Sequence, residues 1–384
     1  MFGFNKEELL KLKAEYTATE IAQQPTTWAK TITQMSELAT ESKAFMESVT
    51  SNAEYDIILT GAGTSEYVGN ALCPALIQAL KGHVRSVGTT DIVASPRLYL
   101  SETRPTILVS FARSGNSPES VGAVEAADTI CNNVKHIFVT CNENGALAKN
   151  AEGRDDVLSI VLTPETHDQS FAMTSSFSNM YLATLLAFMP EAEYDWDALI
   201  EATQKYIDEG YKAIEEVVEN NDFKRIVYLG TDVLKGIAQE SALKVLELTA
   251  GKMVALFDTP MGFRHGPKSV VDDDTVCVVY ISDNPATRRY EMDLLAELYR
   301  DKKGSKIIAI CNAEDEKIRK LCDYNVCLST GKAMDNAQLA LGYIAVAQTI
   351  GILYSLKLGL TPDNPCPTGE VNRVVKGVTI YPVQ

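Results

Sequence analysis

Within IAQESALKVLELTAGK, the residues Glu240, Lys244 and Glu247 stand four, three and seven apart, spacings that place all three on one face if the segment is helical. Two carboxylates around an ammonium have two readings. One is an exposed ladder of ion pairs. The other follows from Ala242, Leu243, Leu246 and Thr249, which make the segment mostly apolar and leave Glu247 between Leu246 and Leu248. A carboxylate held among leucines loses hydration, and that is how a general base working near neutral pH is made. Downstream, FDTPMGFRHGPKSVVDDD (257–274) carries His265, one of four histidines in 384 residues, between Pro260 and Pro267. There an imidazole is either a surface side chain or the second member of an acid–base pair. Asp272, Asp273 and Asp274 read as a solvated turn before the next strand.

Two other stretches suit an anion. DIILT runs into GAGTSEYVGNAL, where Gly61, Gly63, Thr64 and Ser65 lead into a helix, so that small residues, hydroxyls and free N–H groups meet at its N-terminus. TILVSF runs into ARSGNSPESVGAVEAA, where Ser114, Gly115, Asn116 and Ser117 form a second hydroxyl-rich rim, with Ser117 as N-cap and Pro118 as first helical residue. A serine before a proline at a helix start is also what an ordinary cap looks like. FAMTSSFSNM offers a third rim through Thr174, Ser175 and Ser176, or else a polar face on a buried helix. GAGTS is not a GxGxxG fingerprint and no GxxxxGK[ST] loop occurs, which disfavours a nucleotide. Two rims on successive strands of one sheet point to a small phosphate ester. Arg113 would pair with phosphate, with a sugar hydroxyl, or with a surface carboxylate. His167, in TPETHDQS, lies near the proposed site, whereas His83 and His136 fall at strand entrances where they are easily solvated. No cluster of His, Asp and Glu suggests a metal.

These groups need a scaffold, and short apolar runs supply it. DIILTGAG, TILVSF, HIFVTCNENG and VLSIVLTPE begin at 56, 106, 136 and 157; RIVYLGTD, TVCVVYIS, KIIAICNAED and YNVCLSTGK begin at 225, 275, 306 and 324. Ile57 to Ile226 and Thr106 to Thr275 are each 169 positions, and Cys141 to Cys311 is 170, so the chain repeats. Continuous Val/Ile/Leu runs alternating with helix-length segments are parallel strands buried on both faces. The expected fold is α/β, with two tandem doubly wound, flavodoxin-like parallel sheets at 51–203 and 204–362, a helical arm at 1–50 and a tail at 363–384. Ligands in such sheets bind beyond the carboxyl ends of the strands.

A net charge of −16 and a pI near 4.8 argue against nucleic acid or an anionic membrane as partner. Eight cysteines sit mostly in apolar runs without a CxxC pair, as in a reduced, cytoplasmic protein. MFGFNKEELLKLKAEY lacks an apolar signal core, and the most apolar stretch, ALGYIAVAQTIGILYSL (340–356), reads as a buried helix shorter than a membrane span.

Together GAGTS, SFARSGNSPES, ESALKVLELTAGK and FRHGPKS make the chain resemble the SIS (sugar isomerase) domain family over nearly its whole length. The likeness is greatest to the AgaS-type branch of tagatose-6-phosphate ketose/aldose isomerases and galactosamine-6-phosphate deaminases. It is more distant to the isomerase half of glucosamine-6-phosphate synthase, whose EIxEQP is matched here by EIAQQPTTW (20–28). The resemblance implies roles. Glu247 would move a proton between C1 and C2, and His265, from a partner subunit of a dimer, would open the sugar ring. Lys376, in NRVVKGVTIYP, would contact the sugar near its reacting carbons, while Thr64, Ser65, Ser114 and Ser117 would hold the phosphate, with Gly63 and Asn116 of the same rims beside them. It also implies a reaction without cofactor. Two departures stand out against the synthase: Ala112 and Arg113 replace Ser and Gln before the SG pair, and two extra residues separate Glu247 from His265. With only about 50 residues before the first strand and a start at MFGF, glutamine-dependent synthesis is not expected. The family reading leaves three activities: deamination of galactosamine 6-phosphate, aldose–ketose isomerisation of a neutral hexose phosphate, and sugar-phosphate sensing without catalysis. Glu247, His265 and Lys376 together favour an enzyme.

Overall fold

The computed structural model describes residues 1–51, 54–80, 82–375 and 377–383. Its first sheet holds β1 (Asp56–Gly61), β2 (His83–Gly88), β3 (Thr106–Ala112), β4 (Val134–Thr140) and β5 (Val157–Val161), in the order β2-β1-β3-β4-β5. The second holds β6 (Arg225–Leu229), β7 (Val254–Asp258), β8 (Thr275–Tyr280), β9 (Lys306–Cys311) and β10 (Tyr324–Cys327), in the order β10-β9-β8-β6-β7. All eight pairings are parallel. Counted from its own first strand, each sheet runs 2-1-3-4-5, so the spacing of 169 residues marks a duplicated doubly wound fold, as the apolar runs predict.

The eight runs read from sequence are all strands, and two strands were not legible. HVRSVG (β2) and VALFD (β7) are the edge strands beside β1 and β6, and each carries exposed or half-buried positions where the central strands are buried throughout. An edge strand needs one apolar face at most, so it lacks the continuous run that betrays its neighbours.

The chain forms two compact units that cut across the expected boundaries: residues 1–25, 169–174 and 193–368 in one, residues 26–168, 175–192 and 369–384 in the other. The N-terminal arm therefore is not one body, because helix Gln24–Thr50 contributes to both. In the unit of the first sheet, Trp28 Nε1 donates to Ser178 Oγ at 2.9 Å, Thr31 Oγ1 to Asn179 Oδ1 at 2.8 Å and Gln34 Nε2 to the Val161 carbonyl at 2.7 Å. These fasten the arm to helix Ser175–Phe188 and to β5. The tail packs here too: a Cβ on Gly122 would meet Ile380 Cγ2 at 2.8 Å, and Val383 lies against the core of Ile58, Leu108 and Ala127.

In the unit of the second sheet, helix Asn336–Lys357 takes up the longest apolar stretch and extends it to 22 residues, and 94 % of its most apolar window is buried inside the protein. Length alone would let it cross a membrane; burial accounts for its composition. It packs against helix Val233–Leu248 through Gly351, where a Cβ would meet Leu248 Cδ1 at 2.9 Å. The same Cβ would lie 3.5 Å from the Lys244 carbonyl, so the two helix backbones come close beside that residue.

Candidate active site

Helix Val233–Leu248 begins at the carboxyl end of β6 and brings Glu240, Lys244 and Glu247 onto one face, as their spacing predicts. The face is not a solvent-exposed ladder. Glu240 and Lys244 are fully buried, and the Glu247 side chain is 25 % exposed. Lys244 Nζ lies 3.2 Å from Glu240 Oε1 and 2.5 Å from Glu247 Oε2. Leu248 is buried but Leu246 points outward, so the neighbour of Glu247 is an ammonium more than a leucine wall. Burial works against a charged Lys244, yet the two carboxylates outweigh it and its pKa is raised. One carboxylate of this triad is sealed in and the other faces outward, with a fixed cation holding its orientation.

His265 is exposed in the turn between helix Pro260–Phe263 and the 3-10 turn Pro267–Val270. Thr259 caps the short helix by accepting from Gly262 N, and Gly266 adopts φ +125°, a conformation suited to glycine. Lys268 anchors the loop to helix Pro285–Arg300 and the residue after it, with Nζ 2.5 Å from Glu297 and 2.7 Å from Asp301. The imidazole itself has no hydrogen-bond partner among the described residues. Lys376 lies outside the described residues.

The two rims flank the crevice where β1 and β3 adjoin. Gly63 and Ser117 are the N-caps of helices Thr64–Ala79 and Pro118–Ile130, and neither helix receives a side-chain cap. Gly63 sits at φ +57°, ψ −128° with open space where a Cβ would be. Ser117 Oγ lies 2.6 Å from Ser120 Oγ instead of capping the helix, and Asn116 Oδ1 accepts from Ala146 N at 3.0 Å. Ser114 Oγ accepts from Asn116 N at 3.3 Å while its carbonyl accepts from Asn142 Nδ2 at 2.8 Å. The loop is thus held open, with helix N-termini that no side chain caps, the arrangement an oxyanion uses.

The third rim has the other role open to it. Asp168, fully buried, accepts from the hydroxyls of Ser175 and Ser176 and from Ser176 N at 2.8 Å, and so caps helix Ser175–Phe188. Ser175 and Thr174 are fully buried, and the Ser175 hydroxyl is committed to that cap and not to a ligand. Arg113 is also occupied: its Nη2 donates to the Arg373 carbonyl at 2.9 Å, and Arg373 in turn donates to the Asp168 carbonyl. These bonds strap the tail, three residues before Lys376 in sequence, across the loop that carries Ser114. His167 lies within the field of both guanidiniums; burial first, then Arg373 and Arg113, lower its pKa and favour the neutral ring.

Two features were not legible. Glu20 of the EIAQQP stretch is buried, and its carboxylate accepts from the backbone N–H of Gln169 and Ser170 and from the Ser170 hydroxyl. His136 is not solvated at a strand entrance but fully buried, its Nε2 2.8 Å from Asp128 Oδ1. Asp128, His136 and Asp156 do form a cluster with ligand atoms within 4.8 Å of one another. Arg154 reaches both carboxylates of that cluster, donating to Asp128 at 3.0 Å and to Asp156 at 2.7 Å, so a guanidinium already supplies the positive charge. Against the burial that would raise it, these bonds hold Asp128 down at about 2.

The second sheet has an equivalent crevice, and its own carboxylates fill it. Asp232 takes the place of Gly63, at φ +48°, ψ −120°, and both its oxygens accept from Asn336 Nδ2 at 2.9 and 3.0 Å. Glu291 Oε2 accepts from Ser282 N at 2.7 Å, and burial pushes the Glu291 carboxyl up to about 7. A phosphate would meet two carboxyl groups there, those of Asp232 and Glu291.

A family model described as SIS domain matches residues 49–190 and 221–354, one segment per sheet. The chain is 42 % identical to the D-galactosamine-6-phosphate deaminase AgaS of Escherichia coli O157:H7 over 371 residues, 96 % of each chain. It is 42 % identical to the protein of the same name from Shewanella sp. (strain ANA-3) over 379 residues, 98 % of this chain and 94 % of the other. Among solved structures, tagatose-6-phosphate ketose/aldose isomerase from Escherichia coli matches with a TM-score of 0.88 at 40 % identity, covering 96 % of this chain and 97 % of that one. With both sheets matched and relatives aligned almost end to end, the chain belongs to the SIS domain family.

Proposed function

We propose that the protein deaminates galactosamine 6-phosphate to tagatose 6-phosphate and ammonia. The observation that carries this reading is the triad on one helix face: a Glu247 carboxylate, mostly buried but open on one side, braced by an ammonium that is itself sealed against Glu240. A sensor needs the phosphate rims but has no use for such a base. The named relatives supply the substrate.

The chemistry balances without an external oxidant. His265 passes a proton to the ring oxygen as the ring opens to the C1 aldehyde. Glu247 takes the proton from C2, giving an enolamine, and returns a proton to C1. The C2 imine so formed adds water, the C–N bond breaks, and ammonia leaves behind a C2 ketone. Lys376 would stabilise negative charge developing on the C1 oxygen, and the Gly63–Ser65 and Ser114–Ser117 rims would take the phosphate. Free thiols at all eight cysteines fit a cytoplasmic enzyme.

A second reading rests on the solved isomerase: the same C1–C2 proton transfer on a neutral sugar phosphate gives aldose–ketose isomerisation. Incubation with galactosamine 6-phosphate, with ammonia and ketose phosphate assayed together, separates the two. The expected result is equal amounts of both products. Ketose from a neutral aldose phosphate, with no ammonia from the amino sugar, would replace deamination by isomerisation; neither product would remove the enzyme reading.

In our reading the active unit is at least a dimer, with His265 supplied by the partner copy. Val254, Phe257 and Met261 expose apolar side chains along the edge strand β7 and the short helix before His265, a surface suited to a second copy. Inactive Glu247→Gln and His265→Asn proteins, mixed and allowed to exchange subunits, should regain part of the wild-type activity, because one site of each hybrid has both groups intact. No recovery after verified exchange would place the two residues in the same subunit's site.

A further inference from the structure

Cys311 and Cys327 end neighbouring parallel strands and are register partners in the β9–β10 ladder. Such partners point to the same face of the sheet, and strands about 4.8 Å apart bring their Cα atoms into the 4.4–6.8 Å window that a disulfide spans. Cys311 is fully buried. Cys327 is half-buried on the outermost strand of its sheet and lines a pocket of about 370 Å³ together with Lys205, Tyr206 and Ser329. Its Sγ lies 3.2 Å from Ser329 Oγ and 3.2 Å from the Asn312 carbonyl.

We propose that Cys327 is a peroxide-reactive thiol reached through this pocket and that Cys311 resolves it, closing a Cys311–Cys327 disulfide between β9 and β10. The electronic setting agrees with the geometry. Cys327 is pulled down to about 7, with the neighbouring Cys311 thiol as the first cause and Ser329 adding to it, while Cys311, whose Sγ donates to Asn325 Oδ1 at 3.4 Å, is pushed up by the neighbouring Cys327 and by burial. The neighbouring thiols run the other way, Cys322 being pushed up to about 11 and Cys277 to about 12 by burial. A thiolate is the nucleophile in this chemistry, so selectivity follows. In the first step the Cys327 thiolate attacks hydrogen peroxide; an S–O bond forms, the O–O bond breaks, and hydroxide leaves. In the second, the Cys311 sulfur attacks the sulfenic sulfur; an S–S bond forms, the S–O bond breaks, and water departs. Peroxide gains two electrons and the thiol pair loses two.

The test treats the reduced full-length protein at pH 7 with one equivalent of hydrogen peroxide, then blocks remaining thiols and maps peptides by mass spectrometry. The expected product is a linked pair of peptides containing Cys311 and Cys327, with the other six cysteines still alkylated. In Cys311→Ser, a sulfenic acid trap should label Cys327; in Cys327→Ser, Cys311 should stay reduced. Oxidation that begins at Cys73 or Cys366, a bridge between any other pair, or peptides that remain fully alkylated would overturn the proposal.

Discussion

Glu247→Gln should lower kcat for galactosamine 6-phosphate by about 100- to 10,000-fold, the range that loss of a positioned general base costs, while KM changes little. The amide matches the carboxylate in shape and can still accept from Lys244 Nζ, which lies 2.5 Å from Glu247 Oε2 in the native protein. What it cannot do is accept a proton from carbon. Binding should survive because the groups proposed to hold phosphate, at Gly63–Ser65 and Ser114–Ser117, lie on the other sheet's loops and make no use of Glu247. Stability should survive as well, since the buried half of the triad, Lys244 against Glu240, is intact. Steady-state kinetics give the first readout, and exchange of solvent deuterium into the sugar at C1 or C2 gives the second. A variant within tenfold of wild type would mean that another group moves the proton, and the assignment of Glu247 would fall.

How much of this was legible depends on where each signal resides. Strands buried on both faces announce themselves by composition, so β1, β3 and β8 could be placed from the sequence, and the order of their loops then located the rims. The face shared by Glu240, Lys244 and Glu247 was legible from spacing; its burial was not, because the packing of that helix involves helix Asn336–Lys357, some 90 residues on, which approaches it through Gly351. The need for a partner from elsewhere in the chain also explains Asp168 and Ser175. A run of hydroxyls before an apolar helix looks alike whether it faces a ligand or a carboxylate, and only the fold reveals that Asp168 caps the helix with them. His136 and Arg154 belong to the same class, each defined by Asp128, which arrives from a preceding helix. Spacing within one element is local information; partners across elements are not.

Lys244→Met should be the most damaging single change to the fold. It leaves Glu240, a fully buried carboxylate, without the cation 3.2 Å away. Breaking a buried pair from one side costs about 3–5 kcal/mol, which corresponds to a melting temperature lower by on the order of 10 °C. The pH dependence has a definite sign. Because the folded protein raises the Lys244 pKa above its ordinary 10.5, the contribution is complete at every pH below that value and fades only as pH climbs through the folded value. The wild-type contribution should therefore be constant from pH 6 to 8, and the gap should narrow as pH falls, because the buried Glu240 carboxyl left without its cation takes up a proton in the variant. Adding Glu240→Leu separates the two functions of the ammonium. Replacing both members of a buried pair by apolar side chains is often neutral for stability, so the double variant should melt near wild type. Its activity should stay low, because Glu247 would have lost the cation that fixes its orientation. Thermal unfolding and kcat measured on the same preparations decide the point. A double variant that regains both would show that Lys244 serves only to neutralise Glu240, and a single variant that melts like wild type would show that the buried charge is not compensated by Lys244 at all.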